Sequence, residues 1–373
     1  MSKRSRRSKR RLNSSFMALL LTAIMLIIST YAWFSANREV LITGITAKVS
    51  AAEGLQISLD GENWSASVVV SQSKLAELGT TKNNYVWPTE LTPVSTDGTI
   101  SGTDASFVYG DISSDGEILK SIKNAPASGG RYISFDVYLK NSSSKNGGDK
   151  LQLNTTSSVA IHTKKEGEDD SYAGQTDTGL ENCVRAGFLL YSTQNTFTTA
   201  VSSIRTTAVG DSPLFAIWEP NYKQHIDEVV ANDRRIEDGT SGFQTLAMLP
   251  ATNGFSIKGV NGTTTTGVKV DNDDVEIEGS SGTYMGAPTT LTSDAGTVTS
   301  VTDMKAVDGS TQLMLGQNSI MKARVYIWLE GQDPDCNDTA STGRAFDIAI
   351  GFTKPATGTE STTPTEPTEP TGP

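Results

Sequence analysis

Two histidines, two cysteines and 42 carboxylates carry whatever chemistry this 373-residue chain has to offer. His162 and His225 stand apart, and neither belongs to an H-E-x-x-H helix, so the usual zinc-protease constellation is missing. His162 ends a strand-like run beside Lys164 and Lys165 and reads as a surface residue. His225 follows Trp218-Glu219-Pro220-Asn221-Tyr222, a turn leading into a short helical stretch; Asp227 and Glu228 lie close by at a spacing common by chance. A serine nucleophile needs a general base within hydrogen-bond reach, and no G-x-S-x-G elbow offers one. Abundant paired carboxylates belong to any acidic surface and do not single out a glycosidase. No glycine-rich phosphate cradle follows a strand and opens a helix. The residues therefore point away from catalysis.

Oxygen ligands are better represented. Glu330, Asp333, Asp335 and Asp338 cluster in a loop after a strong strand, and Asp271, Asn272, Asp273 and Asp274 form a second acidic turn. Hard carboxylates at close spacing suit calcium, although neither stretch matches an EF-hand; solvated acidic turns are the plainer reading of both. Trp64, Trp87 and Trp218 could stack on sugars if exposed, or fill a core. Cys183 and Cys336 are too few for a disulfide scaffold. One bridge between them would close a loop of about 150 residues, worth roughly 4–5 kcal/mol in the chain-entropy model; two separate thiols are the other reading.

The elements that must position these groups read as strands. Ile133, Phe135, Val137 and Leu139 alternate with Tyr132, Ser134, Asp136 and Tyr138. The same period of two recurs at Val184–Leu190, Met321–Leu329 and Phe346–Phe352. Val40, Ile42, Leu55, Ile57 and Leu59 open the body in the same way. Successive strand side chains point to opposite faces, so this pattern predicts half-buried antiparallel strands. Asp-Gly and Asn-Gly pairs, among them Asp60-Gly61, Asn146-Gly147 and Asp308-Gly309, supply the positive φ of hairpin turns. Helical stretches are confined to Ser73–Leu78 and Gln224–Ala231.

The prediction is an all-β, antiparallel, jelly-roll-like β-sandwich over residues 39–353, with insertions at 141–182 and 255–312 that read as long loops or peripheral hairpins. Two sandwiches divided near 205–215 are the variant arrangement. Residues 354–373, rich in Pro, Thr and Glu, read as an extended disordered tail.

Charge is unevenly spread. Seven cations among residues 1–15 leave 24 basic against 42 acidic residues in the remainder, a net of −18. Such a body does not suit nucleic acid, whose binding depends on neutralising phosphate. Behind the cations, Phe16–Phe34 is uncharged and nearly all apolar. Nineteen helical residues almost span a bilayer, and cations on the near side hold the N-terminus in the cytoplasm. Residues 16–34 are thus a signal-peptide core or a transmembrane helix that exports the rest of the chain. Thr30 and Ala32 place a small-residue cleavage signal before Trp33.

Thr30-Tyr31-Ala32-Trp33-Phe34-Ser35 resembles the signal-peptide end of the TasA/camelysin family of Gram-positive bacteria, though the family's glycine-rich stretch before the threonine is missing. The segment Trp328–Cys336 is similar to one in uncharacterised exported clostridial proteins. The first resemblance implies processing by a SipW-type signal peptidase and assembly into extracellular matrix fibres of biofilms. Camelysin-like proteins carry a metalloprotease label by family name, which this chain's histidines do not support.

The functional expectation is an extracellular or cell-surface fibre subunit, partnered by itself or by other matrix proteins. Its strand donor would include Val40, Ile42, Ile45 and Val49, which could otherwise form the first strand of their own fold. The alternative is an adhesin or glycan-binding module, held to the membrane by an uncleaved N-terminal helix.

Overall fold

The computed structural model describes residues 40–41, 46–51, 54–96, 98–112, 119–162, 180–218, 276–277, 298, 301–304, 311–331 and 345–355. The fold is mainly β, built from several largely antiparallel sheets with few helices. The N-terminal hydrophobic segment 16–34, the proposed cleavage residues Thr30, Ala32 and Trp33, and the stretch Gln224–Ala231 lie outside the described residues. Among the described residues no helix is long and apolar enough to cross a membrane.

The early strands are β1 (Val40–Leu41), β2 (Thr46–Ala51), β3 (Leu55–Ser58), β4 (Ser67–Val70) and β5 (Glu90–Leu91). Next come β6 (Val108–Ile112), β7 (Leu119–Asn124), β8 (Ile133–Asn141), β9 (Asp149–Lys150), β10 (Gln152–Leu153) and β11 (Ser158–Ile161). The second half supplies β12 (Val184–Thr196), β13 (Leu214–Trp218), β14 (Met314–Leu315), β15 (Ser319–Leu329) and β16 (Phe346–Thr353). Helices α1 (Gln72–Leu78), α2 (Leu180–Cys183) and α3 (Val201–Arg205) are short. Ser71 caps α1 by accepting a hydrogen bond from the Lys74 amide.

One sheet runs β13-β12-β15-β8-β3, antiparallel throughout. The other runs β10-β16-β2-β4, with Thr302–Asp303 beyond β10 and β11 also on β16. Residues 205–215 connect α3 to β13 at the rim of the first sheet. One apolar core draws on both sheets, taking Phe135, Val137 and Val325 from the first and Val49, Ile348 and Phe352 from the second. The rings of Phe188 and Phe352 meet edge to face, 5.5 Å apart, where the two sets interlock.

Three expectations need correction. The alternating residues of β8 and β15 do point apolar groups into this core, yet the opposite faces are buried too. The chain from Pro93 to Phe107 lies across them: Phe107 stacks on Tyr132 at 4.3 Å and meets Trp328 at 5.2 Å. Burial drives the Tyr132 hydroxyl up to about 12, an effect that nearby Asp104 reinforces and Arg324 partly offsets. Second, segment 141–182 is not only loop or peripheral hairpin, since β10 and β11 add to β16 in the second sheet and β9 pairs with β14. Third, β2 runs parallel to β16, which breaks the uniform antiparallel pattern.

The β3 hairpin turns through Asp60. Its carboxylate accepts from the Ser58 hydroxyl at 2.8 Å, the amides of Glu62 and Asn63 at 2.9 and 2.8 Å, and the Asn63 side chain at 2.6 Å. Burial alone would raise its pKa, but these donors prevail and hold it at about 2. A depressed folded-state value stabilises the fold above the ordinary carboxylate range, and that stability fades as pH falls towards 2. Asp60→Asn is expected to cost about 1–2 kcal/mol at neutral pH and to flatten the acid limb between about pH 4 and 2. Urea unfolding across that range checks both.

Candidate functional site

The sequence candidate that the fold organises most clearly is the N-terminal strand. β2 lies between two strands, parallel to β16 from Thr46↔Asp347 to Ala51↔Phe352 and antiparallel to β4 from Ala47↔Val70 to Ser50↔Ser67. Ala47, Val49 and Ala51 enter the core, while Lys48 faces solvent. Full burial of the valine contributes about 1.5–3 kcal/mol. Only short chain ends tether the strand. Val40–Leu41 before it pair with β5, and Gly54 after it takes φ +76°, a conformation that suits glycine. Val40 and Val49 are thus placed; Ile42 and Ile45 lie outside the described residues. Without β2 the sheet would hold a slot with unpaired backbone on both β16 and β4. β4 is itself an edge strand of four residues with Val69 58% exposed.

A second constellation lies where the ends of β8 and β16 meet. The chain leaves β16 at Lys354, which the sequence assigned to the disordered tail; instead it is buried. Its Nζ donates to Asn141 Oδ1 at 2.9 Å and reaches Asp149 Oδ2 at 3.4 Å. Asn141 Nδ2 donates to Asp149 Oδ2 at 3.0 Å and to the Gly316 carbonyl at 2.9 Å. The Ser143 amide donates to Asn141 Oδ1 at 3.1 Å. Burial opposes ionisation of Asp149, but hydrogen bonds from Asn141 and Ser143 and the charge of Lys354 lower its pKa. Gly148 makes the return turn possible: it has φ +78°, and a Cβ there would sit 2.1 Å from the Leu315 carbonyl oxygen. Gly148→Ala is expected to lose more than about 1 kcal/mol of stability, read by thermal melting.

The third buried cluster is electrostatic. Asp136 pairs with Lys322 and Arg324, each at 2.9 Å, and Arg324 also bonds Asp104. Burial disfavours the guanidinium charge, yet Asp136 outweighs that and shifts the Arg324 pKa upward. Asn83 ties the same place together, donating to the carbonyls of Leu59 and Asp136 and accepting from the Asp136 amide at 2.9 Å.

The remaining candidates are dispersed. Glu330 is buried, with one carboxylate oxygen accepting from the Ser95 hydroxyl and the other from Trp328 Nε1 at 3.1 Å. Its carboxylate therefore faces protein donors; Asp333, Asp335 and Asp338 lie outside the described residues, as do residues 271–274. Among the described residues no three His, Cys, Asp or Glu side chains group as metal ligands. Cys183 is fully buried, and its carbonyl accepts from the Glu330 amide at 2.8 Å; Cys336 lies outside the described residues. His162 is not on the surface: the β11–β16 ladder continues past Ile161, and its ring is folded in with Nδ1 2.9 Å from Asp347. His225 lies outside the described residues. Trp218 is fully buried in the core and Trp87 packs against it, whereas Trp64 is half-buried over Tyr138, Ile204 and Ile320.

Sequence reasoning missed Lys354, Asn141 and Asp149 as a group. The one legible signal was a lysine directly after a strong apolar strand. Comparison of the chain with protein-family models, curated proteins and solved structures finds no match.

Proposed function

We propose that this chain is an exported, non-enzymatic structural subunit whose two sheets face one another as a β-sandwich and which polymerises by strand addition. In this reading residues 16–34 direct export, and cleavage before Trp33 frees the segment that leads into β2. β2 of one copy then enters the slot between β16 and β4 of the next. The carrying observation is the position of β2: an early strand held between two others, with four residues between it and β1 and three between it and β3. The same contacts form whether the strand comes from its own chain or a neighbour's, which makes exchange a low-cost route to a polymer. The TasA/camelysin-like signal region points the same way, towards a cell-surface or biofilm-matrix fibre.

Recovery of the protein from producing cells tests this reading. A mature start between Trp33 and Asn37, in a pelletable fraction that forms filaments, supports it. A chain retaining residues 1–32, monomeric and fractionating with membranes, overturns it. That second outcome would favour the tethered adhesin, for which one observation speaks: Lys140 Nζ lies 5.3 Å from the Trp64 ring and 4.9 Å from that of half-exposed Phe197. Such an aromatic pair could receive a sugar.

A further inference from the structure

We propose that Lys354 and Asn141 become joined by a spontaneous isopeptide bond, with Asp149 carrying the proton and the Asn141 amide nitrogen leaving as ammonium. The residues are 213 apart in sequence, yet the lysine nitrogen lies 2.9 Å from the oxygen of the Asn141 amide. All three side chains are at least nine-tenths buried: Asn141 is 0%, Asp149 5% and Lys354 6% exposed. Nucleophile, electrophile and proton carrier are thus held together away from competing water, the arrangement that makes a slow amide exchange effectively unimolecular.

Each atom has a role. The Asp149 carboxylate, 3.4 Å from Nζ, takes a proton from the Lys354 ammonium. The freed amine pair attacks Asn141 Cγ, forming the C–N bond and pushing the carbonyl π electrons onto Oδ1. The Ser143 amide, already donating to that oxygen at 3.1 Å, stabilises the negative charge. Asn141 Nδ2, 3.0 Å from Asp149, receives that proton as the oxyanion collapses and the C–Nδ2 bond breaks. A second proton, shed by Nζ as it becomes an amide nitrogen, goes with the departing nitrogen, which leaves as ammonium. The sum is Lys–NH3⁺ plus Asn–CONH2 giving Lys–NH–CO–Asn plus NH4⁺, with no oxidant, reductant or co-reactant.

A second buried lysine shows what the site has that an ordinary ion pair lacks. Lys322 lies 2.9 Å from Asp136, but that carboxylate also bonds Arg324, and an ionised carboxylate between two cations is a poor electrophile. It stays a salt bridge. At Lys354 the partner is an amide, and the carboxylate stands between nucleophile and leaving group. The bond would tie the end of β8 in one sheet to the end of β16 in the other. It is independent of the strand-addition reading and holds for a monomer as well.

Tryptic mapping of the purified full chain decides the matter. Peptide 141–145 (Asn-Ser-Ser-Ser-Lys) is expected attached to the peptide that starts at Ala345, the pair about 17 Da lighter than its two parts. Loss of the same mass within peptide 141–145 alone would be ring closure of Asn141 and would overturn the proposal, as would both peptides appearing separately at full sequence mass. Asp149→Asn and Lys354→Arg are expected to give no linked pair. Asn141→Ala, which removes the electrophilic carbonyl, is likewise expected to give no linked pair. A linked pair that persists in Lys354→Arg would place the bond elsewhere and sink the assignment.

Discussion

Val49→Asp is expected to abolish β2 docking, at a cost of about 3–5 kcal/mol for a carboxylate forced unpaired into an apolar core. Val49 is fully buried, and its strand is hydrogen-bonded on both sides. The loss bears on stability and assembly together, because the same strand completes the sheet in a monomer and in a polymer. Removing residues 1–51 should expose the slot and leave a poorly cooperative body. A synthetic peptide of residues 40–51 should then bind it and restore a sharp thermal transition. The peptide carrying Asp at position 49 should fail to do so. A truncated body that melts as sharply as the full chain would show that β2 is dispensable.

Asp136→Ala is expected to be the most damaging substitution outside β2. It removes the carboxylate between Lys322 and Arg324, both nearly fully buried. Breaking a buried pair by deleting one partner costs about 3–5 kcal/mol, since the remaining charge has no water to return to. For a body of this size that is a fall of about 5–8 °C in Tm. Arg324 retains Asp104, so the cost falls mainly on Lys322, which keeps only the Arg205 carbonyl as an acceptor, at 2.9 Å. Replacing Asp136 and Lys322 together, with Leu and Met, should recover much of the loss. A double variant no better than Asp136→Ala would show that the carboxylate acts chiefly through its other contact, the Asn84 amide, at 3.4 Å.

Local pattern made the strands legible. The period of two marks β8, β12, β15 and β16, and the buried residues on one face of each are the ones the alternation selects. The Asp60-Gly61 turn was equally readable, because its hydrogen bonds join neighbours in sequence. Pairings across long separations left no local trace. Nothing in Thr46–Ala51 marks β16 as its parallel partner, since that contact closes nearly the whole chain. Burial of the outer faces of β8 and β15 depends on a covering segment whose own composition is polar. The polar residues on those faces therefore read as solvated when they are paired internally. Asn141, Asp149 and Lys354 were hidden for the same reason, lying in stretches whose composition resembles a loop and a tail. Of the four acidic residues expected as metal ligands only Glu330 lies among the described residues, and it turns inward to Ser95 and Trp328, contacts that its acidic neighbours in sequence do not foretell.

The most direct test of strand donation is a cross-link across the β2–β16 register. Lys48 and Ala349 are Cα partners, with Lys48 exposed and Ala349 half-buried. The double variant Lys48→Cys, Ala349→Cys would be joined by a short bifunctional thiol reagent in the high-mass fraction, and the linked peptides mapped. Strand donation predicts a covalent ladder of dimers, trimers and longer species on a denaturing gel, linked between positions 48 and 349. A high-mass fraction in which that link occurs only within single chains would contradict it, leaving β2 as a strand of its own fold.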